Sequence, residues 1–393
     1  MDIRLADEWG RFCSRLAEAG AVLARPSAPG TAIDQAEGLR YLTRLTRAAF
    51  KSIIEGGDPD FPRFYRLTSD TLKIGGDNPD NLYLNATIRG DREYLIRGRR
   101  GSVAYLSFGT KANRFAIDGK MASTGELEDA AMQIDPDGGF TIVASRTPQP
   151  GNWLPLAEDS SMLLVRQTFL DRAAERPAEL TIECLDRPTR PARADPDAMV
   201  RALDTASAFV AQTARSFAGW SEMFMARPNE LLPWDQTIFQ NVGGDPNIHY
   251  LHGYWRLEPG EAWVIETEVP ECRFWNFVLQ NWWMESADYT FVPHAYLTKH
   301  AARLENDGSL RIVVAERDPG RGTGSTPPAI DLAPRCCAGS RRRATRCRAA
   351  GWCRWIPSRG PRHRDGATAA YRGCTRAAGM VNGSTKIFGG QNG

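Results

Sequence analysis

The chain has 393 residues, 42% apolar and 24% charged, with a formal net charge of +2. That is enough for two or three cored domains and too apolar for disorder throughout. No run of about eighteen apolar residues occurs, and the start, MDIRLADEWGRFCSRL, has charges where a secretory leader needs an apolar core. The expectation is a soluble, cytoplasmic protein with no membrane partner.

Residues 1–74 read as a helical segment. In IDQAEGLRYLTRLTRAAFKSIIEGG, Asp34 is placed to cap, Leu39, Leu42, Ala49 and Ile53 recur at helical spacing, and Arg40, Arg44 and Arg47 form a solvated face. Gly56-Gly57 stops the helix.

From residue 75 to 190 the pattern turns to strands. NLYLNATI, EYLIRG, SVAYLSFG, FTIVAS, SMLLVRQTFL and AELTIECL are short, rich in β-branched and aromatic residues, and divided by Gly, Asp and Pro turns. This is the mark of a sandwich or barrel rather than of βαβ units. Arg97, Arg99 and Arg100, beside Gly98 and Gly101, suit either a solvated turn or an anion.

Residues 191–240 return to helix. Asp195 caps, Pro196 takes the first helical position, and Met199, Leu203, Ala206, Val210, Phe217, Trp220 and Phe224 make a stripe too long for a connector. The spacing predicts a helix packed along a sheet or between two β-domains.

Strands resume over residues 241–320 with NIHYLHGYWRL, AWVIETEV, RFWNFVLQNWW and LRIVVAER. Gly-Gly-Asp precedes both β-regions, at 75–77 and 243–245, and the matching late strands follow Asp137-Gly138 and Asp307-Gly308, 170 positions apart. One β-unit written twice is the economical reading. The expected fold class is α+β, mostly β: two related antiparallel jelly-roll-like β-sandwich units, a helical N-terminal segment and a long linking helix.

Residues 321–393 differ in composition. Thirteen Arg and one Lys against Asp331 and Asp365 give that segment +12, so the other 320 residues carry −10. Five of the eight Cys also lie there, and Cys13, Cys184 and Cys272 are expected as reduced core thiols. A zinc site around Cys336, Cys337, Cys347 and Cys353, a basic nucleic-acid arm and an out-of-frame translation all compete for this segment. Codons for Gly322–Ala329 can be chosen so that a two-base slip reads Asn-Trp-Ile-Asp-Thr, with Asn-Trp 170 positions after Asn152-Trp153. The expectation is a disordered basic tail, out of frame, that costs the second unit its closing strand, with no specific nucleic-acid partner.

RFWNFVLQNWW, HAARLENDGSLRIVVAERDPG and GNWLPL resemble the bacterial domain-of-unknown-function family 1214, often found with a companion family numbered 1254. The resemblance covers residues 241–320 well and the rest loosely. It implies paired β-sandwich domains and brings no catalytic signature. The missing Asn-Trp and final strand of the second copy depart from that pattern.

Four of five His and seven of eleven Trp fall between residues 220 and 300, which makes that region the candidate site. His252 with Glu285, Asp288 and His294 are the candidate acid–base residues of a hydrolase or lyase. Alternation puts Tyr250, His252 and Tyr254 on one strand face and Asn276, Gln280 and Trp282 on another, an aromatic wall with polar handles for a small ligand. Arg273, Lys299, His300 and Arg303 are the candidates to hold a ligand carboxylate. His249 and His252 diverge and no His-x-His with a following Glu occurs, so no metal and no cofactor is expected. The alternative is a non-catalytic assembly module, with a homo-oligomer as its product.

Overall fold

The computed structural model describes residues 3–290, 295–315, 330–331 and 349–357. Its start forms α1 (Ile3–Ala19) and α2 (Ala32–Ala49). Thr31, not Asp34, caps α2: its hydroxyl accepts the Asp34 N–H at 3.2 Å. The buried side of α2 is Tyr41, Leu45 and Ala48, whereas Leu39 is 59% exposed. The apolar face is thus rotated from the one the spacing predicts, and Arg44 leaves the solvated row for the interior.

The first β-region has eight strands: β1 (Asn81–Thr87), β2 (Tyr94–Arg99), β3 (Tyr105–Arg114), β4 (Lys120–Glu128), β5 (Gly139–Ser145), β6 (Asn152–Pro155), β7 (Met162–Thr168) and β8 (Glu179–Cys184). They make two sheets, β1-β7-β3-β4 and β6-β5-β2-β8, antiparallel except for the parallel β5–β6 pair. Between them lies an apolar core that includes Ile96, Phe108, Phe140, Ile142 and Val165. Each such side chain contributes roughly 1.5–3 kcal/mol by leaving water.

α3 (Pro196–Met225) follows, with the Asp195 carboxylate accepting the Asp197 and Ala198 N–H groups and Pro196 in the first turn. The second β-region is β9 (His249–Trp255), β10 (Ala262–Glu268), β11 (Cys272–Asn281), β12 (Tyr296–Thr298), β13 (Ser309–Ala315), β14 (Ile330–Asp331) and β15 (Ala349–Pro357). Its sheets run β12-β11-β15-β9 and β10-β13-β14.

The two regions share one strand order. β9, β15, β11 and β12 stand as β1, β7, β3 and β4 do, and the parallel pair β13–β14 stands as β5–β6 does. In register, Tyr83 and Ser107 flank Arg166, and Tyr250 and Asn276 flank Arg354. The fold is α+β and mostly β, with sandwich-like sheets.

The tail needs correcting. Residues 349–357 are not disordered but form β15 between β9 and β11, so the second region keeps a strand where the closing one was expected to be lost. Without it both neighbours would present an unpaired edge inside the sheet. The rest of 321–393, with its out-of-frame, zinc and nucleic-acid readings, lies outside the described residues. Cys184 and Cys272 are buried as expected, and Cys13 is exposed.

α3 lies between the two regions. Its Phe209, Val210, Phe217 and Phe224 join one core cluster with Tyr41 and Leu45 of α2, Tyr105 and Phe115 of the first β-region, and Tyr250, Tyr254 and Phe274 of the second. A third cluster, including Trp263, Trp275, Phe277 and Ile312, fills the second sandwich. Among the described residues no helix is long and apolar enough to cross a membrane.

Candidate functional site

The Gly-Gly-Asp loops that open the two β-regions dock on each other's region. From the first loop, the Gly76 N–H donates to Met284 O at 2.7 Å, and Asp77 accepts the Ser286 N–H and hydroxyl at 2.8 and 2.6 Å. Asn276 on β11 donates to Asn78 Oδ1 at 2.5 Å and Asp80 Oδ2 at 2.9 Å. From the second loop, Asp245 Oδ2 accepts from Ser107 at 3.3 Å, Tyr105 at 3.4 Å and Arg166 Nη1 at 3.4 Å, while Arg166 Nη2 donates to Gly243 O. Ser107 and Asn276 occupy matching places in their sheets, so the exchange is reciprocal.

Both loops need glycine. Gly75 has φ +59° and a Cβ there would lie 2.2 Å from the Phe217 ring; Gly243 has φ +93° and a Cβ would lie 2.2 Å from Met121 Cε. Either substitution strains the backbone, and at Gly75 the added Cβ also runs into the Phe217 ring, whereas the flexible end of Met121 can give way at Gly243.

Where the loops cross, a cavity of about 120 Å³ opens. Its polar wall comes from the first sheet and the loops: Tyr83, Asn85, Arg166 and Asp77, with Tyr250 from β9. The aromatic part of the lining is Phe115 from the β3–β4 hairpin, Phe209, Phe217 and Trp220 from α3, and Phe239 from α4 (Gln236–Gln240). These rings meet mostly edge to face: Phe217–Trp220 at 5.4 Å and Trp220–Phe239 at 5.2 Å. Such contacts fix the rings and keep the wall rigid.

The charges behind the polar wall are buried and balanced. Burial works against the Arg166 guanidinium, but Asp245, then Tyr250 and Glu126, outweigh it and hold its pKa above the ordinary value. Lys111, fully buried and paired with Glu126, has its pKa lowered by burial despite that partner. Burial, with Asp245 and Glu128 alongside, keeps the Tyr105 phenol far above its usual range, so it acts as a neutral donor.

The residues singled out by sequence scatter around this cavity. Tyr250 lines it. His252 is buried against two of its lining rings, 4.1 Å from Phe239 and 5.9 Å from Trp220, and stacks on Phe224 at 5.1 Å. Glu285 instead pairs with Arg44 at 2.6 Å and accepts from Asn281 at 3.1 Å; burial raises its pKa, with Arg44 opposing. Asp288 accepts the Thr290 N–H at 3.2 Å, a turn cap, and His294 lies outside the described residues. Among the described residues, His252, Glu285 and Asp288 therefore do not assemble as a unit: each is held by a different local environment.

Tyr254 and Trp282 are core residues, Trp282 pointing its N–H at Met225 Sδ at 3.4 Å. Gln280 is buried with neither amide atom hydrogen-bonded among the described residues. Arg273 ties the regions together through Asp129 at 3.2 Å and Ala104 O at 2.8 Å. The anion group does not converge: Lys299 donates to Cys272 O at 2.5 Å, His300 lies 4.0 Å from Asp171, and Arg303 is exposed. Arg97, Arg99 and Arg100 each face a carboxylate, of Glu183, Asp137 and Asp129 respectively. Among the described residues no group of three or more His, Cys, Asp or Glu could hold a metal.

Arg166 and Asp245 were not among the candidates. Arg166 had a signal, a lone charge inside the apolar run SMLLVRQTFL, and Asp245 had the repeated Gly-Gly-Asp.

An uncharacterised protein from Burkholderia cenocepacia is 40% identical to this chain, and its crystal structure matches over 97% of this chain and 99% of its own with a TM-score of 0.85. This chain belongs to that protein's family. The likeness runs the length of both chains, so the two β-regions and the helix between them are the family's shared architecture. A Vibrio parahaemolyticus protein, 11% identical with a TM-score of 0.44 over 82% of this chain and 94% of its own, is too distant to carry an argument. No family model and no curated protein matches the chain.

Proposed function

We propose that this protein binds a small organic ligand in the cavity between its β-regions. The observation that carries the reading is a pocket lined both by mutually packed aromatic rings and by a buried guanidinium. Such a site takes an apolar body and fixes it by a polar handle. Turnover by a hydrolase or lyase route would draw on the titratable groups of that wall, Asp77, Tyr83 and Tyr250, rather than on His252 with Glu285 or Asp288.

We also read the two β-regions as jelly-roll-like copies of one duplicated unit, of the kind the resemblance to family 1214 implies, in a cytoplasmic protein. The common strand order and the reciprocal loops support that reading.

Thermal denaturation across a metabolite library tests the ligand. A binder at a hundredfold excess over its Kd should raise Tm by roughly 3 °C or more, and Trp220→Ala should remove the shift. An assembly module predicts that no compound moves Tm, and that result would overturn the proposal.

A further inference from the structure

We infer that the ligand is a small aromatic carboxylate, a single ring of about benzoate size, with its carboxylate on Arg166. This inference rests on the proposed binding role of the cavity and goes on to name the chemistry.

Charge decides the handle. Two side chains of charged residue type line the cavity, Arg166 and Asp77. Asp77 has both oxygens engaged by Ser286, at 2.8 and 2.6 Å. Arg166 is only partly spent: Nη2 goes to Gly243 O, and Nη1 reaches Asp245 at 3.4 Å, well beyond the ~2.7–2.9 Å of a strong charged bond. Those contacts use two of the roughly five N–H donors a guanidinium offers. Asp245 is itself divided among Arg166, Tyr105 and Ser107. The lining therefore offers a cation with donors to spare and no competing free anion. A planar carboxylate matches that fork. A phosphate dianion would meet one guanidinium already half balanced by Asp245, so a single negative charge fits better.

Size and shape decide the body. About 120 Å³ holds on the order of ten waters at ~10–15 Å³ each, which leaves room for one ring and its carboxylate and little else. The lining rings Phe217, Trp220 and Phe239 are already set edge to face, the arrangement into which another ring inserts with favourable quadrupole contacts.

Calorimetric titration of the full chain with sodium benzoate and with neutral benzamide tests this, with Trp fluorescence as a second readout because Trp220 lines the wall. Benzoate should bind ~10-fold or more tighter than benzamide, and Arg166→Gln should erase that preference. The ligand pair settles the point even if Arg166→Gln fails to fold. Equal binding of the two overturns the carboxylate and leaves the cavity reading standing. If neither binds while other library compounds stabilise the chain, the inference falls alone. If nothing at all binds, both fall.

Discussion

The two β-regions share a strand order and differ in the sheet face each turns toward α3. In the first, that face carries Tyr83, Ser107 and Arg166, with the buried Lys111–Glu126 pair close enough to feel Arg166, and a cavity remains beside it. In the second, the corresponding face presents Tyr250, His252, Tyr254, Phe274 and Val278, packed against the aromatic side of α3. One scaffold thus gives a charged, hollow face in one place and, among the described side chains, a mostly aromatic one with the Asn276 and Gln280 amides in the other. Most of the His and Trp cluster that the sequence singles out packs in cores, while Trp220 lines the proposed cavity beside the first region.

Removing residues 316–393 should have the largest effect. It deletes β15, leaves β9 and β11 without their shared partner, and should cost the second region a stability comparable to that of a whole domain, ~5–15 kcal/mol. Limited proteolysis should then cut within 249–315 while the first region survives. An unchanged melting curve would mean that the second region does not need the strand the first one has. Sequencing the gene across codons 320–324 separately decides whether residues 321–393 are read in the intended frame.

Next comes the pair that fastens α2 to the second region. Arg44→Met leaves the Glu285 carboxylate buried without its cation and should cost ~3–5 kcal/mol in urea unfolding at neutral pH, whereas Glu285→Gln, whose amide stands in for the protonated carboxyl, should cost less. The pH profile sharpens this. Burial holds the folded Glu285 carboxyl above its usual 4.5, so its contribution is fully present below that pH and is lost as pH rises through the folded value. The Glu285→Gln variant should lack that slope, and a slope it shares with the unsubstituted chain would assign it to another group.

The reciprocal loops give the smallest and most direct test of the comparison. Asn276→Ala removes a buried amide that donates to both Asn78 and Asp80 and should cost ~2–3 kcal/mol, whereas Ser107→Ala removes a single longer bond, 3.3 Å to Asp245, and should cost ~1 kcal/mol. Equal losses in urea melts would deny that the two loops are held differently.

Much of this fold was legible because local chemistry dictates it. Asp195 and Pro196 start α3 where they stand, and alternation along β11 sends Trp275, Phe277 and Leu279 to one core and Phe274, Val278 and Trp282 to another. β4 was not legible: KMASTGELE has no apolar alternation, since an edge strand with one wet face needs none. The phase of α2 is not legible in the sequence, because the burial of Arg44 depends on Glu285, 241 residues away. The site was missed for the same reason. Arg166 and Asp245 meet across 79 residues, and the Gly-Gly-Asp repeat looked like punctuation until two copies were seen to cross at one place.

The central claim is that this crossing is a binding site. A crystal structure of the full chain grown with whichever library compound stabilises it most tests that directly. The compound should lie between Arg166 and Trp220, touching both glycine loops. Density for it against Lys299, His300 and Arg303, or on any outer face, with the cavity holding only water, would contradict the account.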